Sequence, residues 1–89
     1  MKTPHRMARQ VEELSAKLGK HLAGKSPEVQ SAALADCCAM YLAGHRVEGD
    51  SEATAALRAT LLASLVELIR SLIEPNAKEI DARLKRSRQ

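Results

Sequence analysis

Cys37 and Cys38 stand side by side behind Asp36, so a carboxylate and two thiols occupy three consecutive positions. On a helix, neighbouring side chains point about 100° apart, and two adjacent cysteines there have no route to a mutual disulfide. They also lack the two-residue gap that a redox or zinc pair uses. They read as small apolar packing residues kept reduced, with an intermolecular thiol contact across a dimer axis as the other use. Asp36 has neither a second acid nor a base close by in sequence, so the partner that acid–base catalysis needs is missing. Its expected place is an exposed spot or an ion pair with a basic residue of the first helix; buried at an interface, it would set register.

His5, His21 and His45 are scattered, and only His45 has acids near it, Glu48 and Asp50. These three share one polar loop, where solvation rather than metal ligation is expected. No nucleophile elbow and no phosphate-cradling glycine loop is present, and the glycines fall where helices end and chains turn. No catalytic, cofactor-binding or metal-binding residue is therefore assigned, and the chain reads as non-enzymatic.

Charge offers a second kind of chemistry. Residues 1–25 carry six Lys/Arg against two acids, residues 26–75 three against seven, and residues 76–89 five against two. Two basic segments flank an acidic middle, although the net charge is only +3. Lys78, Arg83, Lys85, Arg86 and Arg88 are the candidate nucleic-acid contacts. A helix-turn-helix reading does not fit: the second connection is too long, and the following helix exposes Glu67 and Glu74 beside Ser and Thr.

The elements that hold these residues are all helical. The chain has 89 residues, enough for one small domain whose core is marginal unless it packs densely or oligomerises. Tyr41 is the only aromatic residue, and Ala and Leu carry the apolar content, a composition that favours helix. No segment alternates with period two. The expected class is all-α: a three-helix, bundle-like domain of antiparallel helices over 4–23, 27–43 and 51–74, then a short helix over 77–86.

Thr3 before Pro4 and Ser26 before Pro27 are hydroxyl caps followed by a first-turn proline. The first helix carries Met7, Val11, Leu14, Leu18 and Leu22 as a narrow seam, with Glu13 and Lys17 at ion-pair spacing, and is expected to bury that one side. Gly24 is its left-handed cap. The second helix has Asp36 as its only charge between Ala32 and Ala43 and is apolar nearly all round, the mark of a buried central helix. Gly44 ends it, and Asp50 or Ser51 caps the third.

In that third helix Leu57, Leu61, Leu62, Leu65, Val66, Leu68, Ile69, Leu72 and Ile73 fill an arc of roughly 180°, where a surface helix needs about 100°. Pro75 is expected to end it, with Asn76 and Glu79 as a capping-box relative opening the short helix. Ala77, Ile80 and Leu84 nevertheless keep the phase of Ile73, so a kinked continuation fits as well as a clean break.

So broad an apolar arc needs cover on two sides. The expected solution is a homodimer with a shared core from the second and third helices, using Leu34, Cys38, Tyr41, Leu42, Leu62, Val66, Ile69 and Ile73. Function is expected to lie in protein–protein interaction or regulation through helix faces; the alternative is a nucleic-acid-associated regulator using the basic ends. The opening MKTPHRMARQ carries no apolar leader core, and Arg58, Glu67 and Arg70 interrupt the most apolar helix. The expected location is the cytoplasm, with no membrane span and no cofactor.

Overall fold

The chain is described by a computed structural model over residues 3–88, the side chain of Thr3 excepted. The described residues form three α-helices and no strand: α1 (Thr3–Leu22), α2 (Pro27–Ala43) and α3 (Ser51–Ser87). The all-α class expected from composition holds, and the bounds of α1 and α2 lie within one residue of expectation. The chain divides into two compact units, Met1–Cys37 and Cys38–Gln89, with the boundary inside α2.

In the first unit, the end of α1 and the start of α2 are built from local hydrogen bonds. Gly24 takes φ +79°, a left-handed conformation that lets the chain leave α1. Ser26 Oγ accepts from the Val29 amide at 3.2 Å, the expected cap of α2. The Gln30 side chain, half-buried, donates at 2.8 Å to the carbonyl of Leu22, one of the acceptors that α1 leaves unpaired at its end. The cap expected from the Thr3 hydroxyl lies outside the described side chains.

In the second unit, the loop after α2 is tied to α3 from both sides. Asp50 is the cap of α3, its Oδ1 accepting from the Ala53 amide at 2.9 Å. The Thr54 hydroxyl accepts from the Val47 amide at 2.9 Å and reaches the Asp50 carbonyl at 2.8 Å, closing the loop against the first turn. Gly49, at φ +75°, makes the reversal between them. Arg58 reaches back further: its Nε donates to the His45 carbonyl at 3.0 Å and its Nη2 to the Ala43 carbonyl at 2.9 Å. Those carbonyls stand at the negative end of α2, where a guanidinium is favoured twice over, by hydrogen bonding and by the helix dipole.

Two features depart from expectation. The helix does not end at Pro75: α3 is one helix of 37 residues with Pro75 inside it, and Asn76 and Glu79 lie mid-helix rather than at a cap. Proline removes the hydrogen bond to the Ser71 carbonyl. Both Ser71 and Pro75 are exposed, so water can satisfy that carbonyl. At 100° per residue, Pro75 also lies about 150° round from the stripe of Ile73, Ile80 and Leu84, which runs on undisturbed.

The second departure concerns burial. No described residue is buried, α2 included, where a central buried helix was expected. Only Gln30, Cys38 and Leu42 of α2 are half-buried, and Met40 is 66% exposed. The seam of α1 is likewise uncovered, with Met7, Val11, Leu14 and Leu18 all exposed. Two helices cover a side chain from one direction only, so neither unit encloses any residue. The alanines that make α2 look buried are small residues on an open helix.

Candidate interaction surface

One face of α3 is used inside the second unit. Thr54, Leu57, Arg58, Leu61 and Leu65 are half-buried, as are Cys38 and Leu42 in the part of α2 that belongs to the same unit. This face takes only half of the broad apolar arc. The other half, Leu62, Ile69, Ile73, Ile80 and Leu84, is exposed, with Val66 half-buried at its edge. These six positions fall within an arc of about 60° and span roughly 33 Å of helix at 1.5 Å per residue. Leu68 and Leu72, further along the side of Leu61 and Leu65, are exposed too.

Of the interface residues expected from sequence, Leu34, Tyr41, Leu62, Ile69 and Ile73 are exposed, whereas Cys38, Leu42 and Val66 are half-buried. Ile80 and Leu84 extend the same stripe beyond the expected interface set, which stops at Ile73 before Pro75. The phase of Ala77, Ile80 and Leu84 was the signal that could have found them.

Polar chemistry is thinly spread. The His45 ring nitrogen Nδ1 lies 2.7 Å from the Tyr41 carbonyl, and the two rings meet edge to face at 4.8 Å. Arg46 and Glu48 form an exposed ion pair of 3.4 Å. They border an open depression of about 500 Å³ over the start of α3, where the Thr54 hydroxyl is held by backbone groups. In the first unit an apolar groove of about 260 Å³ runs between Leu18 and Leu22 of α1 and Val29, Ala33, Leu34 and Cys37 of α2, with His21 and Lys25 also lining it.

Cys37 is exposed and Cys38 half-buried, both as free thiols, so neither is the fully buried packing residue expected. Asp36 is exposed, and among the described residues neither it nor the Glu13–Lys17 spacing forms an ion pair. Among the described residues no group of three His, Cys, Asp or Glu is placed to hold a metal, and no helix is long and apolar enough to cross a membrane.

The basic segment of α3 is partly neutralised by its own acid. Glu79 Oε2 takes Arg83 Nε at 3.1 Å and lies 3.8 Å from Arg86. Lys78, Lys85 and Arg88 have no ion-pair partner among the described residues.

No known protein family, curated protein or solved structure matches this chain.

Proposed function

We propose that the chain is a non-enzymatic interaction or regulatory protein that works through its helix faces as a homodimer. The observation that carries this reading is the combination of no buried described residue with sixteen exposed large apolar ones. A 9.7 kDa chain folded round a core of its own exposes roughly 5,100 Å². This chain exposes 7975 Å². The excess, roughly 2,800 Å² per copy and so about 5,600 Å² for a pair, lies at the upper end of what obligate dimers bury. Each exposed Leu or Ile gains about 1.5–3 kcal/mol on full burial, so such a surface favours association strongly.

Light scattering of the full chain across a range of concentrations, with and without a reducing agent, tests the proposal. A dimer that persists under both conditions supports it and makes apolar packing the cause. A monomer throughout overturns it. A dimer that dissolves on reduction also overturns it, because the exposed thiol of Cys37 would then be the link rather than the helix faces.

A further inference from the structure

We infer that the exposed stripe of α3 is the surface on which a second copy of this chain docks, helix against helix, with the two α3 helices antiparallel. The inference rests on the self-association proposed above and names its surface and geometry. Leu62, Val66, Ile69 and Ile73 follow one another at intervals of 4, 3 and 4, and Ile80 continues the series one heptad on. That is the repeat of two helices packed side by side with knobs in holes. The helix is continuous through Pro75, so the stripe is one straight-phased seam rather than two short ones. The α2 segment of the same unit covers the other half of the arc at Leu57, Leu61 and Leu65 and leaves this seam open.

Charge selects the second copy's direction. The segment 76–88 holds Lys78, Arg83, Lys85, Arg86 and Arg88 against Glu79 and Asp81. Parallel helices would stack two such cationic segments side by side, whereas antiparallel helices separate them by the length of the seam. Antiparallel packing that matches the seam from Leu62 to Ile80 puts its two-fold axis near residue 71. Ile69 of one copy then faces Ile73 of the other, Leu62 faces Ile80, and Val66 faces Asn76. Leu72, exposed on the adjoining row, lies one residue from that axis.

The test uses the full chain with Cys37→Ser and Cys38→Ser, carrying one new cysteine at Leu62 or at Ile80, the two versions differing in mass by a tag. Mixed, allowed to exchange and oxidised, they are expected to give the Leu62→Cys/Ile80→Cys heterodisulfide in excess over either homodisulfide. Homodisulfides alone mean parallel helices and overturn the orientation. A dimer by light scattering without cross-links at either position overturns the α3 surface while sparing the proposed dimer, and a monomer overturns both. As a second measurement, Ile80→Lys, at a position 55% exposed in the single chain, is expected to leave helical circular dichroism of the dissociated chain in place. It should weaken dimerisation by about a hundred- to ten-thousandfold, because the symmetric dimer loses a buried Ile from each of its two copies. An unchanged dissociation constant for Ile80→Lys also overturns the seam.

Discussion

Replacing Arg58 by alanine removes the one side chain that joins the end of α2 and the loop after it to α3 through two carbonyls. Its two hydrogen bonds, at 3.0 and 2.9 Å, are charge-assisted and of good length. A hydrogen bond to a charged group contributes about 1.5–3 kcal/mol when well protected. Arg58 is half-buried rather than enclosed, and the freed carbonyls of Ala43 and His45 can be hydrated. Halving the sum for solvent and for the entropy of a long side chain leaves a destabilisation of about 2 kcal/mol. Arg58→Lys keeps the charge at the negative end of α2 but loses the fork that serves two acceptors at once. It should recover less than half of the loss. The assay is urea unfolding followed by circular dichroism at one fixed protein concentration, since association shifts apparent stability. The midpoint should fall with the slope unchanged. A shift for Arg58→Ala smaller than about 0.5 kcal/mol would refute the view that this bridge joins the two elements.

Pro75→Ala should stabilise the protein, because an interior proline costs a helix up to about 3 kcal/mol and α3 already has helical geometry there. A rise of 1 kcal/mol or more, on the order of a third of that cost, is expected in urea unfolding, and a loss of stability would mean that the proline shapes the helix in a way the protein needs. Asp50→Ala removes the cap on the Ala53 amide and should cost about 1 kcal/mol, with Asp50→Asn restoring most of it. Equal loss in both variants, read from the same urea midpoints, would show that the charge rather than the hydrogen bond matters.

What was legible in the residues follows from how local each cause is. The helix starts at Ser26 and Asp50 and the left-handed glycine at position 24 depend on groups within four residues of each other, and all three stand where the side-chain chemistry places them. At Pro75 the residues leave both a break and a continuation open, because the proline's penalty is local and large, while what outweighs it is spread along the helix. An apolar seam keeps its phase on one side, and the carbonyl that the proline orphans lies on the wet side. Arg58 gave no sign of its role, because a bond between residues 58 and 43 depends on how the chain turns back between them. The apolar character of α2 was read as burial, yet the same alanines serve an open helix equally well.

By itself, then, the amino-acid order determined the all-helical class, two of the three helices nearly to the residue, and the excess of apolar surface on α3. Those depend on propensity, periodicity and capping, which act within a turn or two of helix. Only the tertiary structure decided that α3 runs unbroken through Pro75, which half of its apolar arc meets α2, and that no described residue is enclosed. Burial is a property of neighbours, and a side chain's own type and spacing say which faces seek cover without saying which of them receive it.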